Sequence, residues 1–297
     1  MEAMARIDHA LGASIEPALA RVLERARSDD APARLQAAMR YALFPGGARL
    51  RPRLCMAVAH SCAANEPEVV NAAACAIELL HCASLVHDDM PCFDDAETRR
   101  GKPSVHRAYG EKVALLTGDA LIVLAFQALA LGTQCAPQRL APLVMIISRA
   151  VGMPSGIVAG QARECEPQAD LSQYHLQKTG ALFAAAAMAG AAAAGSESAP
   201  WRVLGEKLGL AYQVADDIRD VASTAEEAGK PIGQDARHGR PSVALELGVS
   251  GAVAHLDSLI EEAVASIPSC AGGAGLRALI QIEARRFLPE GLARLAA

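Results

Sequence analysis

The chain reads as an all-α protein, a helical bundle formed as one domain over residues 1–297. Three observations predict it. The 52% apolar content is mostly Ala and Leu, both strong helix formers, while aromatics reach only 3%. No stretch alternates apolar and polar residues with the Val, Ile and Thr enrichment of a strand. Helix-length segments follow one another, punctuated by Gly and Pro. They are expected at 2–27, 31–43, 48–63, 67–90, 111–131, 138–151, 154–164, 171–194, 200–222, 251–266 and 275–295. No tandem repeat or low-complexity tail divides them.

Composition excludes several classes. A net charge of −5 argues against nucleic-acid binding. Eight cysteines occur without a C-x-x-C pair, so small buried thiols in a reducing cytoplasm are expected, not disulfides or zinc. Met1-Glu2-Ala3-Met4-Ala5-Arg6 lacks the pattern of a secretory leader, and the C-terminus lacks a prenylation box. The longest apolar stretch, Ala181 to Gly195, is mainly alanine and short of the ~20 apolar residues a bilayer span needs, so no membrane insertion is expected.

Two acidic clusters stand inside this apolar helical background. One is His87-Asp88-Asp89-Met90-Pro91-Cys92-Phe93-Asp94-Asp95; the other is Asp216-Asp217-Ile218-Arg219-Asp220. Like charges resist ionising side by side, so grouped carboxylates call for a positive partner. Hard oxygen donors favour Mg²⁺, which keeps several waters and completes its shell with phosphate oxygens. Gln213, Asp216, Asp217 and Asp220 recur at i, i+3, i+4 and i+7, which gathers them on one side of a helix. Glu78, His81 and Asp88 share a face in the same way, and Pro91 lets the chain turn so that Asp94 rejoins Asp88 and Asp89.

Basic loops accompany the clusters. Arg99-Arg100-Gly101-Lys102 follows the first and Gly229-Lys230 follows the second. Lys178-Thr179-Gly180 precedes an apolar helix, and Gly46-Gly47-Ala48-Arg49-Leu50-Arg51-Pro52 opens another. Arg forks match phosphate oxygens, Lys adds point charge, and glycine lets backbone N–H groups approach an anion. Linkers 91–110 and 224–242 have the length of binding loops. Metal-type carboxylates paired with cations point to an enzyme that grips a diphosphate.

These motifs, in this order, resemble the trans-isoprenyl diphosphate synthases along the whole chain. The first cluster is similar to the family's long D-D-x₄-D motif and the second to its D-D-x-x-D motif. Glu78-Leu79-Leu80-His81, Arg99-Arg100-Gly101-Lys102-Pro103, Lys178-Thr179-Gly180 and Gly229-Lys230-Pro231-Ile232-Gly233-Gln234-Asp235 fall in register. The run from Cys82 to Glu97 is most similar to geranylgeranyl diphosphate synthases of bacterial carotenoid pathways.

The resemblance implies an isoprenoid synthase bundle around a central cavity and a homodimer. It implies that Asp88, Asp89, Asp94, Asp216, Asp217 and Asp220 hold Mg²⁺ against an allylic diphosphate. Arg99, Lys178, Thr179, Gln213 and Lys230 would touch that diphosphate, with Lys178 and Lys230 in the catalytic set. Arg51, His81 and Arg100 would hold isopentenyl diphosphate. The diphosphate ionises, the isopentenyl double bond attacks the allylic cation, and a proton leaves. Where the family usually has Lys, this chain has Ala48, so weaker or rearranged isopentenyl binding is expected. Ala83 and Ser84 lie about 6–7.5 Å down the helix from Asp88. There an aromatic side chain closes the pocket near fifteen carbons in shorter-chain members, so Ala83 implies a twenty-carbon product. Alternatives are a farnesyl or geranyl diphosphate synthase, a class I terpene cyclase, and a non-catalytic partner subunit; two intact aspartate motifs and Lys178-Thr179-Gly180 favour condensation.

Overall fold

The computed structural model describes residues 15–166, 176–222 and 242–285. Helix α1 covers 15–25 and contributes Ile15, Leu19 and Leu23 to the core. It is followed by α2 (Ala33–Leu43), α3 (Leu50–Ser61) and α4 (Pro67–Asp88). α4 is the axis of the bundle. Pro67 presets its first turn, and buried Val70, Ile77, Leu79, Leu80 and Ala83 cover every side, as befits a helix wrapped by protein. It ends at Asp88, just before Pro91, which cannot donate to the backbone ladder.

The linker after α4 carries more order than expected. A two-residue antiparallel pair, β1 (Thr98–Arg99) and β2 (Lys102–Pro103), turns through Arg100 and Gly101, both at positive φ. The short helix α5 (Val105–Tyr109) follows. Then come α6 (Glu111–Gly132), α7 (Leu140–Val151) and α8 (Ile157–Arg163). A single wide helical turn, Leu176–Gly180, leads into α9 (Ala181–Ala193). α10 (Arg202–Ala222), α11 (Val243–Ala265) and α12 (Gly273–Arg285) complete the described chain.

Small residues set the helix spacing. α9 is nearly all buried alanine, which brings it close to α3, α4 and α10. A Cβ at Gly190 would stand 2.3 Å from the Cys55 carbonyl oxygen of α3. A Cβ at Gly205 of α10 would stand 2.4 Å from the Ala184 Cα, and one at Gly209 would stand 2.7 Å from the Gly180 Cα. Backbone meets backbone at all three points.

Two expectations need correction. The helix expected at 251–266 is preceded by a short helical stretch from Val243, which extended Ser242 starts; the two segments meet at a kink where Gly248 is non-helical (φ 69°, ψ 165°). The apolar run 181–195 is also not the best membrane candidate. α4, α6 and α11 are each long and apolar enough to cross a bilayer by length and composition. α4 spends that surface inside the protein, with 78% of its most apolar window buried, whereas the figure for α6 is 44%. Lys230, the Gly229–Asp235 motif and the N-terminal fourteen residues lie outside the described residues.

Candidate active site

The first acidic motif closes on itself where α4 ends. The Asp94 N–H donates to the Asp88 carbonyl (3.0 Å) and the Ala96 N–H to the Asp89 carbonyl (3.1 Å), so the chain folds back after Pro91. That turn brings the exposed Asp94 carboxylate near Asp88 and Asp89, whose protonation it favours. Burial pushes both Asp88 and Asp89 above the usual carboxylate range. Lys178 opposes the shift at Asp88, and Arg99 opposes it at Asp89. Arg99, placed by the β1–β2 turn, forks onto Asp89 through Nε (2.9 and 3.2 Å) and Nη2. His87 bonds the Leu115 carbonyl through Nε2 (3.3 Å), fixing α4 to α6 beside the motif.

Lys178 and Thr179 join this motif to the second one. Lys178 Nζ donates to Asp88 Oδ1 (3.0 Å) and Glu164 Oε1 (3.2 Å). Thr179 Oγ1 donates to Gln213 Oε1 (3.2 Å), and Gln213 Nε2 donates to Asp217 Oδ1 (3.0 Å). Two consecutive residues therefore connect Asp88 on α4 with Gln213 and Asp217 on α10. The Gly180–Gly209 approach makes this reach possible. On α10, Asp216 is half-buried and 3.5 Å from Arg219 Nη2, while Asp220 is buried. Asp217 differs from its neighbours. It is 3% exposed, and its Oδ2 accepts the Val243 N–H (2.8 Å), capping the start of α11 from another helix.

A cationic cluster adjoins α4. Arg51 Nη1 and His81 Nε2 lie 3.4 Å apart, and Arg51 stacks over Phe183 with its Cζ 4.4 Å from the ring centroid. Burial, and then Arg51, Arg100, Arg99 and Arg49, hold His81 well below the normal imidazole range, so it is neutral at pH 7. Arg100 Nη1 donates to the Gly46 carbonyl (2.5 Å), and a Cβ at Gly47 would stand 2.8 Å from the Arg100 guanidinium. Ala48 is exposed on the same loop. The Arg51 Nε is buried without a hydrogen-bond partner.

The sequence-predicted residues thus fall into groups. Asp88, Asp89, Asp94, Arg99, Lys178, Thr179 and Gln213 converge, and Arg51, His81 and Arg100 form the adjoining cationic cluster. Glu78, read as part of the acidic face, instead pairs with Arg49 (2.6 Å) inside the core, where Arg49 also binds Glu16 (2.7 Å) and the Leu43 carbonyl (2.6 Å). Ala83 is buried in the core one turn beneath Asp88, and the Ser84 hydroxyl donates to the His81 carbonyl (2.8 Å). Glu164, which with Gly160-Gln161 resembles a family element that orients diphosphate or product, joins the group through Lys178. The bare Gly160 permits the approach, since a Cβ there would stand 2.7 Å from the Lys178 backbone nitrogen.

The donor set fits a divalent cation that arrives with its own ligands. It offers carboxylate oxygens only, and among the described residues no three acidic, His or Cys side chains close around one point. An ion there must complete its shell with water and substrate oxygens, as Mg²⁺ does.

Comparison with known proteins identifies the family. The model of the polyprenyl synthetase family matches residues 32–271. The geranylgeranyl diphosphate synthase of Cereibacter sphaeroides is 52% identical over 279 residues, covering 94% of this chain and 97% of that protein. The apo crystal structure of an FPP/GFPP synthase from Zymomonas mobilis superposes with a TM-score of 0.78 at 29% identity, covering 95% of this chain and 99% of that one. A geranyltransferase from Helicobacter pylori, solved with magnesium and isoprenyl diphosphate, gives 0.76 at 29% identity over 91% of this chain and 96% of its own. With residues 32–271 matched and the described helices aligned nearly end to end, the chain belongs to the polyprenyl synthetase family.

Proposed function

We propose that the chain condenses isopentenyl diphosphate with an allylic diphosphate in a Mg²⁺-dependent reaction and releases geranylgeranyl diphosphate. One observation carries this reading. Lys178-Thr179 ties the α4 carboxylates to the α10 stripe, and Arg51 meets His81 two turns before Asp88 on the same α4. Two anions, one metal-bound and one held by cations alone, can then lie side by side.

Bound Mg²⁺ would neutralise the leaving diphosphate, held by Asp88, Asp89, Asp94, Asp216, Asp217 and Asp220. Asp217, with Gln213 and the Val243 N–H on its two oxygens, also fixes the stripe against the start of α11. Lys178 and Arg99 pair with Asp88 and Asp89 in the resting site and turn to diphosphate oxygens as charge builds there. Neutral His81 donates a hydrogen bond without adding repulsion among the arginines, while Arg51 and Arg100 hold the second diphosphate. Proximity then places the isopentenyl double bond against the allylic carbon. The apolar walls of α4 and α9 keep water from the cation. The proton lost at the end goes to the departing diphosphate. The small Ala83 side chain leaves the α4 wall open for a twenty-carbon tail.

The oligomer is a homodimer formed through α6. Its outward Leu115, Leu116, Val123 and Leu131 are 46–57% exposed, and the nearby Met145 of α7 is 48% exposed, an apolar face suited to a second copy. The test supplies Mg²⁺, isopentenyl diphosphate and each allylic diphosphate in turn, and resolves products by chain length. A twenty-carbon diphosphate that disappears with EDTA supports the reading. A hydrocarbon product would mean cyclisation, and no product from the pure chain would mean a partner subunit.

A further inference from the structure

Arg219 sits inside the second acidic motif, yet no step above uses it. α10 carries two neighbouring polar stripes, each spaced i, i+4 and i+7. Gln213, Asp217 and Asp220 form one, turned towards Thr179. Tyr212, Asp216 and Arg219 form the other. Its Tyr212 ring lies 5.6 Å from Phe183, the ring that Arg51 covers. Tyr212 also brings two guanidiniums together. Arg219 Cζ is 5.5 Å from the ring centroid and Arg51 Cζ is 5.7 Å from it. The two can be no farther apart than those distances added together, a gap that one diphosphate can span.

Both arginines have a buried Nε without a hydrogen-bond partner. Asp216 takes Arg219 Nη2 only at 3.5 Å, the outer limit for such a bond. Buried donors without acceptors are rare and costly, and two beside one ring call for an acceptor that the described residues do not supply. An anion with several oxygens satisfies both.

We propose that Arg219 is a further ligand for the isopentenyl diphosphate, gripping it from α10 while Arg51 and Arg100 grip it from α3 and the β1–β2 turn. The assignment rests on the proposed function. It favours the isopentenyl over the allylic diphosphate because Arg219 shares a stripe with Tyr212, on the Arg51 side, and not with Gln213, on the Lys178 side. Asp216 keeps the guanidinium aimed along the helix, so one residue touches the second substrate and borders the metal carboxylates.

The test uses Arg219→Met and Arg219→Lys in the full chain. Isopentenyl diphosphate is titrated calorimetrically into metal-free protein in EDTA, and KM is measured for both substrates with Mg²⁺. Losing a charge-assisted contact should raise the isopentenyl Kd and KM about tenfold or more in Arg219→Met. The allylic KM and the half-saturating Mg²⁺ should stay within about twofold. Arg219→Lys should recover part of the loss, because it restores charge without the planar fork. An unchanged isopentenyl Kd, or an effect confined to the allylic KM and Mg²⁺, would show that Arg219 only balances Asp216. Should Arg219→Met fail to fold, an Arg219→Lys protein with wild-type isopentenyl KM overturns the assignment. Wild-type protein that neither binds nor extends isopentenyl diphosphate removes the underlying function and this assignment with it.

Discussion

Gly209→Ala is a one-carbon test of how the site is assembled. The added Cβ would lie 2.7 Å from the Gly180 Cα, and no side chain can rotate to relieve that contact. Ordinary carbon contact lies near 3.5–4.0 Å, so α10 and the Leu176–Gly180 turn must part by about 1 Å. Overpacking costs about 1–3 kcal/mol, and the gain in helix propensity from Gly to Ala returns about 1. Net destabilisation should be at most about 2 kcal/mol, which leaves the protein folded at 25 °C. Function should suffer far more. The Thr179–Gln213 bond is already 3.2 Å long and would open, and Lys178 would withdraw from Asp88, now 3.0 Å away. A displacement of 1 Å at a reacting centre costs about a hundredfold. The control is Gly190→Ala, where a Cβ meets the Cys55 carbonyl oxygen at 2.3 Å, ten residues beyond the Lys178 turn. Thermal melts and steady-state kinetics on both variants separate the effects. Comparable losses in Tm with a large kcat loss only in Gly209→Ala are expected. A Gly209→Ala enzyme within threefold of wild-type kcat would refute the idea that this approach sets the position of Lys178 and Thr179.

Glu78→Gln strips one carboxylate from the buried Arg49, which keeps the half-exposed Glu16, so stability should fall by about 3 kcal/mol in urea denaturation; a loss below about 1 would mean that Glu16 alone suffices. Ala83→Tyr should shift products towards fifteen carbons, and an unaltered product would place the chain-length floor on another helix. His81 titrates below its unfolded value, so below pH ~6.5 the unfolded chain takes up a proton that the folded chain refuses. Stability should therefore fall on acidification by up to about 1.4 kcal/mol per pH unit, and His81→Gln should flatten that slope; an unchanged slope would assign it to other groups. Cys92 and Cys165 are exposed and should react rapidly with a thiol reagent, and exposed Cys135 more slowly, because desolvation and Glu66 hold its thiol protonated. Burial lifts Cys75 and Cys82 to about 12, and they should react only on unfolding; fast labelling of Cys82 would contradict its place in the core.

Much of the site was readable because its chemistry is local. The i, i+3, i+4, i+7 rule set the α10 stripe, and Pro91 forecast the turn that returns Asp94 to Asp88. Lys178-Thr179 stood out as a polar pair ahead of an alanine run. What the sequence concealed depends on partners distant in the chain. Nothing near Glu78 announces Arg49, which reaches it from the start of α3 at φ 49°. Nothing near Asp217 announces the Val243 N–H, 26 residues on. The hairpin at 98–103 has strands of two residues, too short for any periodicity to register. Gly205 and Gly209 look like ordinary weak points of a helix until the opposing backbone is seen.

The bond from Val243 to Asp217 changes how losses in the second motif should be interpreted. One carboxylate of the D-D-x-x-D string is the peg on which a long neighbouring helix hangs, so exchanging it tugs at architecture as well as at charge. An inactive Asp217 variant would accordingly be weak testimony about coordination. Counting metal ligands there calls for a stability measurement on each variant beside its activity.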